Sequence, residues 1–199
     1  MKNQIIKVIA AALSTFFVYG CALTNEMVEM KYTPDKYVDH QPSDKEIHVE
    51  RLKDVRGLAP KLITYKGITE RIGGEFINNV EISEFLSVSL EELFPEMGYK
   101  LTSDENGLLL AGEILKFESN VITGLWDLSI ESIIQLNLKL LNGEDGSILW
   151  NETVVGSGKQ SGIQLANWKN REAGYYFAMD DLMKNISSSV SLKRAISKY

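Results

Sequence analysis

The stretch Asp127 to Leu141 reads DLSIESIIQLNLKLL. In it Leu128, Ile130, Ile134, Leu136, Leu138 and Leu140 alternate with Ser129, Glu131, Gln135, Asn137 and Lys139. A period of two sends the first set to one face of a strand and the second set to the other. One face is then buried and one is wet. That pattern calls for an antiparallel sheet covered on a single side and excludes a parallel sheet buried on both faces, whose strands are apolar throughout. The phase slips at Ser132-Ile133, where a bulge is expected. Directly downstream, Asn142-Gly143-Glu144-Asp145-Gly146 is hairpin chemistry that returns the chain along Ile148 to Gly156.

Working outward, Leu108 to Ser119 forms a second long strand, preceded by turn residues Ser103 to Gly107 and a short strand at Tyr99 to Leu101. Before these, Ile82, Phe85, Leu86, Leu90, Leu93, Phe94 and Met97 recur at helical spacing. Asn78 or Asn79 is placed to cap that helix and Gly98 to end it, with Pro95 loosening the last turn. Ile47, Val49 and Leu52 mark a first strand that ends near Gly57. Leu58 to Asn79 reads as a long loop with at most one short strand, and a loop of that length is a candidate functional element. At the other end, Arg171 to Ser197 carries a broad apolar helical stripe, with a bend expected at Ser187 to Ser189. The expected fold is α+β: one antiparallel sheet of about five strands with two helices packed on one face, in the order β-α-β-β-β-β-α. No internal repeat and no second domain boundary is visible.

The 199 residues are 44% hydrophobic and 24% charged, which suits a globular core and excludes disorder. Lys and Arg number 21 against 27 Asp and Glu, a net charge of −6, so the chain lacks the electrostatic footprint of a nucleic-acid binder. One cysteine cannot form an internal disulfide, and two histidines leave little for a zinc site; no metal and no cofactor are expected. Gly156-Ser157-Gly158-Lys159-Gln160-Ser161-Gly162 lacks both the early glycine and the hydroxyl residue of a phosphate loop, and Ser161 stands where a dinucleotide fingerprint needs glycine. The stretch reads as a mobile surface loop. His40 falls before the first strand and His48 on it, so a Ser/His/Asp arrangement would rest on His48 alone. Neighbouring acids such as Glu91-Glu92, Glu144-Asp145 and Asp180-Asp181 diverge on a helix or sit in a turn and read as solvated. No catalytic residue is expected. Trp150 belongs to the core, whereas Trp126 and Trp168, in loop contexts, are the candidate partner contacts.

At the N-terminus, Lys2 and Lys7 precede the apolar run Val8 to Val18, which closes in Val18-Tyr19-Gly20-Cys21. This is the layout of a signal peptide. The last four residues resemble the bacterial lipobox, with Tyr19 in place of its usual small residue. By that resemblance residues 1–20 are a lipoprotein signal peptide, and Cys21 carries a thioether-linked diacylglycerol and an N-acyl chain of the palmitate type. Two or three such chains make membrane attachment effectively permanent. The mature chain, with 19 basic and 27 acidic residues, is held by lipid and not by charge. Residues 21–45 read as the lipidated N-terminus and a flexible tether; alternatively Met27, Met30, Tyr32 and Tyr37 lie along the domain as an added strand. Residues 46–199 are expected to form a single domain, periplasmic by the same resemblance. In such lipoproteins an Asp after the cysteine favours inner-membrane retention, so by that resemblance Ala22 implies the inner leaflet of the outer membrane.

With these elements placed, the chain resembles the YajG-type family of small bacterial lipoproteins. The resemblance rests on Val18 to Cys21, the strand at Ile47 to Lys53, the helix entering Glu96-Met97-Gly98-Tyr99-Lys100-Leu101, the strand Ile130 to Leu140 and the hairpin feeding Trp150 to Gly156. It implies a non-enzymatic envelope role with an envelope protein partner, and transfers only Cys21, as the lipid attachment site. The wider group of similar lipoproteins implies an alternative, a lipid or small-hydrophobe binding auxiliary component of an ABC-type envelope transporter.

Overall fold

The computed structural model describes residues 26–34, 42–66, 72–123, 128–164 and 167–199. In chain order the elements are β1 (Glu26–Val28), β2 (Glu46–Val49), β3 (Lys53–Asp54), β4 (Leu62–Lys66), β5 (Ile72–Asn78), α1 (Ile82–Glu96), β6 (Lys100–Leu101), β7 (Leu108–Thr123), β8 (Leu128–Asn142), β9 (Ile148–Ile163), α2 (Trp168–Ser188) and α3 (Val190–Lys198). The α+β class holds. Among the described residues the sheet has nine strands where about five were expected, and there are three helices where two were expected.

Two halves of the sheet obey different rules. β7, β8 and β9 form an antiparallel meander of strands 15 and 16 residues long. The other edge of β7 is lined end to end by β2, β3 and β4, all parallel to it, so the sheet is mixed and not purely antiparallel. β6 extends β2 in parallel, while β5 extends β4 as an antiparallel hairpin. The segment expected as a loop from Leu58 to Asn79 therefore holds two strands. Its strand signal is weak because β5 carries Gly73 and Gly74. A Cβ on Gly74 would overlap the Tyr65 ring across the hairpin, so the glycine is the space that ring occupies.

The alternation along β8 runs from Ile130 to Leu140 without interruption. Ser132 is buried in phase with Ile130 and Ile134, so the bulge expected at Ser132-Ile133 is absent. The register shift toward β8 lies in β7, between Ile114 and Lys116, and it lets Ile114 and Phe117 both face the core. α1 and α2 cover that face. Leu86, Leu90, Leu93 and Phe94 from α1 and Tyr175, Met179, Leu182 and Ile186 from α2 are fully buried, each aliphatic side chain contributing roughly 1.5–3 kcal/mol. α1 is entered through Glu81 in extended conformation, without a side-chain cap, and it runs through Pro95. Asn78, expected as a cap, is instead buried, accepting the Met30 amide at 3.0 Å. The bend expected at the three serines is a clean break: Ser189 ends α2 and caps α3, accepting from Leu192 N.

The largest correction concerns Gly156 to Gly162. These residues are not a loop but the second half of β9. Gly156 and Gly158 point at α2, where a Cβ would run into the Ala178 carbonyl and Leu182, or into the Gly174 carbonyl and the Ala178 amide. Gly174 faces Ser132 in turn. Small residues on both partners let the helix backbone approach the sheet. From there α2 also shields the outer edge of β9: Asn185 Nδ2 donates to the Val155 carbonyl at 2.9 Å and Asp181 accepts from Ser157 N at 2.9 Å. Asp181 is thus an edge cap, an arrangement that limits strand-to-strand association.

Within the expected tether, Glu26–Val28 pairs in parallel with β5, and Met30 is buried. Tyr32 donates to Asp180 of α2 at 2.9 Å. The added-strand alternative describes these residues better than a tether does, although Met27 is 77% exposed. Tyr37 lies outside the described residues.

One ion pair fastens the segment between β3 and β4. Arg56 binds Asp54 through Nη2 at 2.6 Å and Nε at 2.9 Å, and its Nη1 donates to the Leu62 carbonyl at 3.0 Å. Burial alone would raise the Asp54 carboxyl, but the hydrogen bonds and charge of Arg56 outweigh it and hold the group below its ordinary value of 3.8. A carboxyl depressed in the folded state stabilises fully above the unfolded value and loses that contribution as pH falls through the folded one. Asp54→Asn is expected to cost about 2–4 kcal/mol at pH 7, because it strands a guanidinium with little access to water. Urea unfolding at pH 7 and pH 3 checks this: the gap between wild type and variant narrows at the lower pH.

Candidate functional site

Besides the Arg56–Asp54 pair, two places among the described residues combine charge with shelter. The first lies under the start of α2. Ser119 of β7 and Ser132 of β8 are cross-strand partners on the covered face, and Tyr65 of β4 is in register with Ser119 on its other side. Hydroxyls here, in place of branched aliphatics, leave room for Arg171, which descends from the first turn of α2 and is 1% exposed. Its Nη1 donates to Ser119 Oγ at 2.9 Å, and the guanidinium lies 3.7 Å from the centroid of the Tyr65 ring. Tyr175 stacks on Phe117 at 4.8 Å. Burial pulls the Arg171 guanidinium below its usual value, countered in part by Tyr65 and Tyr175, and it pushes the Tyr175 hydroxyl up. The Tyr175 hydroxyl lies near Ser119 without reaching hydrogen-bond geometry. It and Ser132 Oγ are buried side-chain oxygens without a partner in the structure. This cluster orients polar atoms but holds no nucleophile beside a base.

The second place is at the opposite end of the sheet. The segment Pro42 to Lys45, Tyr99 and α3 enclose a cleft of about 530 Å³, lined by Lys45, Lys193 and Arg194 together with Tyr99, Val190 and Ile196. Tyr99 packs on Phe94 with ring centroids 6.1 Å apart, and burial pushes its hydroxyl pKa up.

The expected site residues fare differently. Cys21 and Trp126 lie outside the described residues. Trp168 is not in a loop: it opens α2, half-buried, with its rings 4.9 Å from Phe76 and 6.1 Å from Tyr175. Trp150 is core, its Nε1 donating to Ser191 Oγ at 3.0 Å. His48 Nδ1 is 3.1 Å from the Thr102 carbonyl, an acceptor, so the proton sits on Nδ1. Among the described residues no group of three or more His, Cys, Asp or Glu could hold a metal ion, and no helix is long and apolar enough to cross a membrane. Sequence reading missed Arg171, although the signal was present. It precedes Tyr175, Ala178 and Leu182 by four, seven and eleven residues, which places it on the buried stripe.

No known family model matches the chain, and no curated protein sequence matches it either. Solved structures do. A Xanthomonas campestris protein assigned to family DUF330 is 16% identical with a TM-score of 0.62, the match covering 87% of this chain and 99% of that one. A hypothetical protein from Chlamydia trachomatis is 10% identical with a TM-score of 0.50, covering 79% of this chain and 100% of the other. A minor lipoprotein from Acinetobacter baumannii is 14% identical with a TM-score of 0.47, covering 75% and 94%. At these identities the first two likenesses are likenesses of fold.

Proposed function

We propose that the protein is a lipid-anchored cell-envelope lipoprotein of the YajG type with a non-catalytic interaction or accessory role in the periplasm. The observation that carries this reading is the approach of the fold to Cys21, the lone cysteine at the end of the signal-like segment. β1 begins at Glu26, five residues on, a distance of at most about 18 Å of extended chain. β1 runs parallel to β5, so it is entered from the end of the sheet where β5 starts. The same end carries the β7–β8 connection and the start of α2, with Trp168. An acylated Cys21 would hold that end near the bilayer, within reach of an envelope protein partner touching Trp126 or the exposed part of Trp168. The cationic cleft would then stand about 50 Å away, the length of the sixteen-residue β7. Ala22 after the cysteine favours the inner leaflet of the outer membrane. The alternative, a hydrophobe carried between sheet and helix by a transporter component, is disfavoured by the backbone-close packing of Gly156 and Gly158 on α2.

The anchor is tested by metabolic labelling with an alkyne fatty-acid analogue. Wild type is expected to label and to fractionate with membranes, and Cys21→Ser to lose both properties completely. Equal labelling of the two overturns the proposal.

A further inference from the structure

We propose that the cleft between α3 and the Pro42–Lys45 segment binds an amphiphile whose phosphate head carries a net negative charge. The whole chain carries −6, yet this hollow is lined by three cations, Lys45, Lys193 and Arg194, and by no carboxylate. Of the acids flanking Lys45, neither Asp44 nor Glu46 is among the residues lining this cleft, and exposed Asp44 pairs with Lys100 at 3.1 Å. Neither Lys45 nor Arg194 is in an ion pair among the described residues. Lys45 and Arg194, like charges at one concavity, repel each other and raise the local potential, a cost that an anion bound there relieves.

The rest of the lining shows what kind of anion. A cleft of about 530 Å³ is several times larger than a phosphate needs and lies within the range of small-ligand sites. Its remaining walls are the Tyr99 ring, Pro42, Ile196 and Val190, the last 68% exposed, with Ser43 and Ser197 supplying hydroxyls. An apolar side chain left so open on a helix that also brings Lys193 and Arg194 to the cleft matches a ligand with a charged head and an apolar portion. α3 presents both: buried Leu192 and Ile196 fix it to the core, Ile196 also reaching the cleft wall, while Val190, Lys193, Arg194 and Ser197 line the cleft from its other side. Lysine and arginine in this setting recognise phosphate through charge-assisted hydrogen bonds.

The site does not depend on lipidation of Cys21, so it is tested on the full chain carrying Cys21→Ser, which separates it from failure of the anchor. Isothermal titration is run with dihexanoyl phosphatidylglycerol below its micelle concentration, with dihexanoyl phosphatidylcholine and with inorganic phosphate. The phosphatidylglycerol is expected to bind at least tenfold more tightly than either of the others. Lys45→Glu/Arg194→Glu should lower that affinity at least tenfold and Lys139→Glu, on the uncovered sheet face, should leave it unchanged, both with unaltered circular dichroism. Inorganic phosphate binding as tightly as the phosphatidylglycerol would overturn the amphiphile. No saturable binding of any probe, or binding that survives the double substitution, would overturn the site.

Discussion

Gly158→Val is expected to destabilise the protein by about 3–5 kcal/mol, more than the 1–3 kcal/mol usual for an overpacked core. The reason is what the new side chain meets. An added methylene in an ordinary core pushes against other side chains, which turn to a new rotamer. At Gly158 the obstacle is helix backbone, the Gly174 carbonyl and the Ala178 amide, and at Gly156 it is the Ala178 carbonyl and the backbone of Leu182. The helix must move off the sheet as a unit. In doing so it loosens Tyr175, Met179 and Leu182 from the core and draws Asp181 and Asn185 away from the edge of β9. Against a typical domain stability of about 5–15 kcal/mol this is a large share. Thr153→Val, on the exposed face of the same strand, should change stability by less than about 0.5 kcal/mol. Urea unfolding followed by circular dichroism measures both, and a Gly158→Val midpoint equal to that of wild type would contradict the close packing.

Arg171→Ala is expected to cost about 3–5 kcal/mol. It removes the stack on Tyr65, leaves Ser119 without its donor and opens a void beneath the first turn of α2. Arg171→Met refills most of the volume and removes a buried charge, so its cost should fall to about 1–3 kcal/mol, dominated by the stranded hydroxyl. Adding Ser119→Ala to Arg171→Met should then recover part of that loss, because the second change removes the orphaned group. A double-mutant cycle reads the coupling directly. Strict additivity of the two substitutions would show that the Arg171–Ser119 contact carries no energy.

Much of the fold was legible because most elements lie on a boundary between core and water, where periodicity is strong. β8, α1 and the apolar stripe of the C-terminal helical segment could be read from spacing alone, and three adjacent serines pointed to a bend where the structure has a break at Ser189. The misreadings share a cause. β5 and the second half of β9 bury glycines, and a glycine in a sequence has no side chain to declare which face it occupies. Gly156 and Gly158 look like loop residues until a helix is placed against them. Ser132 looks like a phase slip until Gly174 is seen to need its small size. For the candidate sites the limit is different. Arg171 was in phase with the buried stripe, but its partners Tyr65 and Ser119 come from two other strands far away in the chain. Lys45 and Arg194 are separated by nearly the whole domain, and only folding brings them to one cleft.

The amino-acid sequence alone determined the α+β class, the covered and uncovered faces of the long meander, the hairpin at Asn142 to Gly146 and the expectation that the lone Cys21 is an anchor. These follow from local chemistry: alternation, turn residues, and a cysteine at the end of an apolar run. The tertiary structure decided the parallel pairing of β2, β3 and β4 along β7, the docking of β1 five residues from Cys21 and the assembly of three cations around α3. Each depends on contacts between distant segments, and the energy of such contacts is a property of the pair that neither segment displays alone.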